Sequence, residues 1–135
     1  MPVITPHKIR EAIASTSPDK VLGLDGILNR ALRTAIDKLV PYLIRLFNRC
    51  LELRYYPTPF RDRLTVVLRK LGKETYRELK FYRLIALLNT LGKTINIIIA
   101  RRLAYATERY SLLPKTYTGG RKATSTEHAL YLVVE

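Results

Sequence analysis

The chain has 135 residues, is 47% hydrophobic, and carries 24 Lys and Arg against 11 Asp and Glu, a formal net charge of +13. That length allows one small domain, and the apolar fraction excludes a disordered tail. The charge favours a polyanionic partner, either nucleic acid or an anionic membrane surface. The single cysteine, Cys50, excludes a disulfide framework or a cysteine-based zinc site, and its apolar helical setting reads as a small buried hydrophobe. The N-terminus lacks a signal peptide's apolar core, and no apolar run is long enough to span a bilayer. An intracellular protein without a membrane segment is expected, nuclear or cytoplasmic being left open.

In chain order, Thr5-Pro6 predicts a helix start, with Thr as N-cap and Pro at the first helical position. Ile9, Ala12 and Ile13 then recur at helical spacing, so residues 1–16 form an N-terminal helical segment ahead of the remainder, 17–135. Ser15 to Gly26 is punctuation, and a helix is expected over about 27–35. From Ile36, apolar residues at Val40, Leu43, Phe47 and Cys50 (or Leu51) draw one face of a second helix, with Pro41 placed early, where the first turn can tolerate it. Tyr55 to Pro59 stops it.

Over 63–70 the period changes to two, as in a half-buried strand, and 82–87 reads as its partner across a polar connector. Asn89 or Thr90 can cap the longest helix, run to about Tyr110, with Leu91, Ile95, Ile98, Ile99, Leu103 and Ala106 as its apolar stripe. Arg102 falls within that stripe and, if buried, requires a carboxylate or carbonyl. Leu112-Leu113-Pro114 ends the helix. A Gly-rich turn at 118–121 and a last helix from about Ser125 follow. The expected fold class is α+β, mostly helical, with one two-stranded antiparallel hairpin. The first helices are expected to pack beside it, and the long helix to supply much of the core.

No catalytic constellation is legible. His7 and His128 are far apart, no carboxylates stand at metal-ligand spacing, and no phosphate-binding glycine loop or nucleophile elbow occurs. Taken alone, the residues describe a basic α+β module without a visible active site.

A resemblance supplies more. Thr65-Val66-Val67-Leu68-Arg69-Lys70-Leu71-Gly72-Lys73 followed by Phe81-Tyr82-Arg83-Leu84-Ile85-Ala86-Leu87-Leu88-Asn89-Thr90-Leu91-Gly92-Lys93 resembles the signature of reverse transcriptases from non-LTR, LINE-like retrotransposons. The family pattern there is roughly P-K-P-G-K, then S-Y-R-P-I-A-L-L-N-T-L-G-K. Upstream, Lys20 to Ile27 resembles K-A-P-G-P-D-G-I. Downstream, Leu112 to Pro114, Gly119 to Arg121 and Ser125 to Leu130 resemble L-L-P, G-G-R and S-T-E-x-A-L. The blocks are collinear over residues 17–130.

The resemblance implies a partial reverse-transcriptase domain, the fingers region, lying before the catalytic palm motifs. In the family, a basic residue and an arginine of the fingers hairpin reach the incoming nucleotide's triphosphate, and the matching positions are Lys70 and Arg83. A guanidinium can grip phosphate oxygens bidentately, while an ammonium acts as a point charge. Without the resemblance, both are simply exposed hairpin charges. The loop with Lys20, Gly23, Asp25 and Gly26 matches one near the template, although an Asp-Gly turn before a helix needs no ligand. Lys93, Arg101, Arg121 and Lys122 are candidate contacts to template or primer phosphates, or a solvated basic face.

The implied partners are an RNA template, a DNA primer, a deoxynucleotide triphosphate, and a palm and thumb. The parent enzymes use Mg2+ held by palm aspartates for nucleotidyl transfer. Asp19, Asp25, Asp37 and Asp62 match no such motif, so no catalytic residue, metal ligand or cofactor is assigned and polymerase activity is not expected from this chain alone. The alternative is a stand-alone basic nucleic-acid-binding module. Leucine replaces a family proline at Leu22, Leu24, Leu71 and Leu84, and Tyr110 stands where histidine is common. Each exchange is one C-to-T change, which motivates the hypothesis of a decayed retroelement fragment. Coding DNA lacking those changes relative to an intact copy would refute it.

Overall fold

The computed structural model describes residues 2–19, 21, 23–73, 75–114, 117, 119, 125, 127, 130 and 131. Its elements in chain order are α1 (Pro6–Ala14), α2 (Asn29–Thr34), α3 (Ile36–Glu52), α4 (Thr58–Arg61), β1 (Arg63–Arg69), β2 (Tyr82–Leu88) and α5 (Thr90–Arg109), with a 3-10 turn at Leu79–Phe81 before β2. The chain divides into two units, Met1–Ile98 and Ile99–Glu135, with α5 running through the boundary. Mixed helix and strand with one antiparallel hairpin matches the expected class. The final turn and helix expected after residue 115 lie largely outside the described residues.

The core of the first unit is helical. Helices α1, α2 and α3 pack on one another, and Ile9, Ala12 and Ile13 of α1, Leu32 of α2 and Val40, Leu43 and Phe47 of α3 are all buried. Phe47 is fully buried and meets Phe60 of α4 edge-to-face, centroids 6.3 Å apart. Ile4, just before α1, is pinned to α3 through its backbone: its N–H donates to Asn48 Oδ1 (2.6 Å), and Asn48 Nδ2 donates to its carbonyl (3.1 Å). Thr5 is the N-cap of α1, as expected, but its hydroxyl makes no capping bond.

The C-terminus of α1 explains why α2 sits against it. A helix end leaves its last carbonyls without intrahelical donors. Here Ser15 Oγ donates to Ala12 O (2.8 Å), and the buried Asn29 Nδ2 donates to Thr16 O (2.7 Å) and Ile13 O (3.4 Å). Arg33 Nη2 donates to Ala14 O and Thr16 O. Two polar side chains of α2 therefore close the end of α1.

Helix α2 begins at Asn29 rather than at 27. Gly26 takes a positive φ of 63°, and the Ile27 N–H donates to Asp25 Oδ1 (3.2 Å), which holds Ile27 outside the helix. Pro41 lies inside α3 rather than in its first turn. Helix α3 ends with Arg54 at φ 51° and the Tyr55 N–H donating to Cys50 O (3.0 Å), a Schellman-type stop on a non-glycine residue. Cys50 is buried as expected, which pushes its thiol pKa up. The Tyr55–Pro59 stretch does stop α3, but it also starts α4, with Pro59 in the first helical turn.

Strands β1 and β2 pair antiparallel, Arg63 opposite Leu88 through Arg69 opposite Tyr82. Their alternation is as expected, but their burial is not. Leu68 is 44% exposed and Leu84 73% exposed, and only Val66 of β1 is half-buried. The helices pack on one another rather than flanking the hairpin as a layer.

In α5 the buried positions are Thr90, Gly92, Thr94, Ile95 and Ile98, so two threonines replace part of the expected apolar stripe. Thr94 Oγ1 donates to Thr90 O (2.8 Å), which satisfies the buried hydroxyl. Leu103, expected in the stripe, is 57% exposed. Arg102 is half-buried, and desolvation lowers its pKa. In the second unit, α5 closes with Ser111 at φ 49° and the Leu112 N–H donating to Thr107 O (3.0 Å), the same stop as α3. Among the described residues no helix is long and apolar enough to cross a membrane.

Candidate functional site

The hairpin's phase decides which side chains share a face. The Lys70 N–H donates to Phe81 O (2.8 Å), continuing the ladder one residue past β1. Hydrogen-bonded and non-hydrogen-bonded pairs alternate in an antiparallel ladder, and directly opposed residues point to the same face. Lys70 opposite Phe81 and Leu68 opposite Arg83 are then hydrogen-bonded pairs on one face, with Val66 and Ile85 beyond them. Lys70 and Arg83 are diagonal neighbours on that face, about 7–8 Å apart at the backbone. The opposite face carries Arg69, Val67 and Thr65 against Tyr82, Leu84 and Ala86.

Arg83 is exposed, and among the described residues its guanidinium makes no hydrogen bond or ion pair. Lys70 is half-buried, and its Nζ donates to the backbone carbonyl of Lys80 (2.6 Å). An ammonium has three donors, so two remain after that bond.

A second group assembles at the other end of the hairpin, where β2 runs into α5. Asn89 caps that helix: its Oδ1 accepts the Gly92 N–H (2.8 Å), and its Nδ2 donates to Pro59 O. The 23–27 loop docks on the same junction. Thr90 Oγ1 donates to Ile27 O (3.1 Å), and Lys93 Nζ donates to Val21 O (3.3 Å). Gly23 is buried there, and a Cβ on it would lie 2.5 Å from Asn89 Cα, so only glycine fits. The Gly26 N–H donates to Gly23 O (3.2 Å), closing a β-turn with Leu24 and Asp25 at its centre.

The structure therefore gathers the sequence-predicted residues into two clusters. Lys70 and Arg83 share one hairpin end; Gly23, Asp25, Gly26 and Lys93 share the other. Arg83 and Leu88 are separated by about 17 Å of strand. Arg101 is exposed in the second unit, and Lys20, Arg121 and Lys122 lie outside the described residues. Among the described residues no group of His, Cys, Asp or Glu side chains converges to hold a metal ion, so the Mg2+ implied by the resemblance finds no donor set in them.

No family model matches the chain. It is 29% identical over 131 residues, 97% of its length, to the RNA-directed DNA polymerase from mobile element jockey of Drosophila funebris. It is 30% identical over 130 residues, 96% of its length, to the probable RNA-directed DNA polymerase from transposon X-element of Drosophila melanogaster. The chain is a relative of the RNA-directed DNA polymerases of non-LTR retrotransposons. A third similarity, 28% over 102 residues, is to the Pol polyprotein of the type-1 retrotransposable element R1 of Bradysia coprophila. The chain spans 14% of the length of the jockey and X-element polymerases. The similarity covers both clusters of this reverse-transcriptase relative.

Sequence reasoning passed over two residues of the Lys70 cluster. Tyr76 Oη donates to Lys70 O (3.0 Å), and Tyr82 Oη donates to Tyr76 O (2.9 Å). An aromatic residue isolated in a charged connector is the signal that marked Tyr76, because such a ring seldom stays in water when a strand face lies beside it.

Proposed function

We propose that this segment supplies the nucleotide-facing fingers hairpin of a retrotransposon reverse transcriptase, with Lys70 and Arg83 gripping the triphosphate of an incoming deoxynucleotide. The observation that carries this reading is the ladder phase, which makes Lys70 and Arg83 diagonal neighbours on one face of the hairpin. Arg83 brings a planar fork matched to phosphate oxygens, and Lys70 brings its spare N–H donors. The loop containing Lys20, Gly23, Asp25 and Gly26, with Lys93, Arg101, Arg121 and Lys122, would face the RNA template and DNA primer. Chemistry would come from a palm and thumb supplied by the parent polymerase. Decay of a retroelement copy is compatible with this reading, because Leu24 and Leu84 occupy backbone positions where proline fits.

A stand-alone basic nucleic-acid-binding module is the second reading, favoured by the net charge of +13. Calorimetric titration with thymidine triphosphate separates the two. The hairpin reading expects Lys70→Ala/Arg83→Ala to weaken binding at least about ten-fold, the loss of charged phosphate contacts. Lys8→Ala/Lys38→Ala, which removes the same charge from exposed positions on α1 and α3, should change it little. Equal losses in both variants would favour the basic module, whose affinity follows charge alone and falls steeply with salt.

A further inference from the structure

We propose that Tyr76 and Tyr82 are positioning residues that strap the hairpin connector and thereby aim Lys70. The proposal rests on the triphosphate reading above. The connector 70–81 contains Gly72 at φ 74° and the exposed Leu71 and Lys73, so on its own it would leave Lys70 loosely held. Two phenols change that. Tyr76 folds back over the ladder and donates to Lys70 O, while Tyr82 donates to Tyr76 O. The rings meet edge-to-face, 6.0 Å between centroids at 62°, and the Arg69 guanidinium lies 5.1 Å above the Tyr76 ring.

The consequence for Lys70 is specific. Its N–H donates to Phe81 O and its carbonyl accepts from Tyr76, so both of its main-chain polar groups are fixed. Tyr82 and Arg69 belong to the opposite hairpin face, and Tyr82 directly precedes Arg83. The strap therefore grips the backbone from behind and leaves the phosphate-facing side open. Neither tyrosine needs to touch the nucleotide. Each acts through the residue it holds.

A double-mutant cycle on the full chain tests this, with inorganic triphosphate as the probe and a thermal melt of every variant. Tyr76→Phe keeps the ring and removes the bond to Lys70. It should weaken binding about five-fold, the worth of one neutral hydrogen bond. In a Lys70→Ala background the same change should cost less than about two-fold, because a residue acting through Lys70 has nothing left to aim. A merely structural tyrosine would instead cost the same in both backgrounds, and that result overturns the proposal. So does unchanged binding by Tyr76→Phe. If Tyr76→Phe melts early, Tyr82→Phe retains both rings and the bond to Lys70. It should give the same background dependence with a smaller loss, and no loss overturns the proposal. If Lys70→Ala and Arg83→Ala each bind triphosphate as tightly as the parent chain, the triphosphate reading itself fails and the strap falls with it.

Discussion

The helical cluster and the hairpin are built on opposite plans. In the α1–α3 cluster the apolar faces close on each other, and even the polar ends are sealed by Asn29 and Arg33. In the hairpin both faces stay largely open, and order comes from the ladder, the tyrosine strap and the anchor at Asn89. The difference teaches that a regular element need not be a buried one. A surface that must meet a ligand can be fixed by hydrogen bonds at its ends and leave its faces free.

Substitutions can break or sharpen that contrast. The largest effect is expected from Phe47→Ala in the closed cluster, a loss of about 3–5 kcal/mol in urea unfolding. A loss below about 1 kcal/mol would mean the cluster is far looser than its burial indicates. Next, Gly23→Ala drives a methyl group into the Asn89 backbone and should cost about 1–3 kcal/mol by the same measurement, because backbone must move to admit it.

The hairpin offers a finer comparison between neighbours. Ile85 stands in a hydrogen-bonded pair with Val66, whereas Leu84 stands in a non-hydrogen-bonded pair with Val67. In a two-stranded ladder the Leu84 N–H therefore points outward. Ile85→Pro should cost about 1–2 kcal/mol through the lost ladder bond, while Leu84→Pro should change stability by less than about 1 kcal/mol. Equal costs would mean the ladder phase is wrong. The smallest effect is a gain. Leu24 occupies the second position of the Gly23–Gly26 turn, where proline is favoured, so Leu24→Pro should stabilise by about 0.4–1 kcal/mol in a thermal melt.

Much of this fold was legible because periodicity reports backbone geometry. The switch from a helical period over Ile36–Cys50 to a period of two over Leu64–Leu68 located both α3 and β1, and the resemblance marked Lys70 and Arg83. Burial was less legible. Alternation along β1 says that two faces exist, not that anything covers one of them. Thr90 and Thr94 were missed on the buried side of α5 because a count of apolar residues passes over threonines: the Thr94 hydroxyl bonds back to Thr90 O in its own helix, and the Thr90 hydroxyl bonds out to Ile27 O. Helix α4 was missed because Pro57 and Pro59 read as breakers, although proline is at home in a first helical turn. The docking of the 23–27 loop on Asn89 joins residues distant in sequence, and only the close approach at Gly23 records it locally.

The most direct test is nuclear magnetic resonance of cross-strand contacts in the hairpin. Strong Hα–Hα Overhauser effects between Arg69 and Tyr82 and between Val67 and Leu84 are predicted, since those are the non-hydrogen-bonded pairs. Effects shifted by one residue, such as Arg69 with Arg83, would turn Lys70 and Arg83 to opposite faces and contradict a shared grip on one triphosphate.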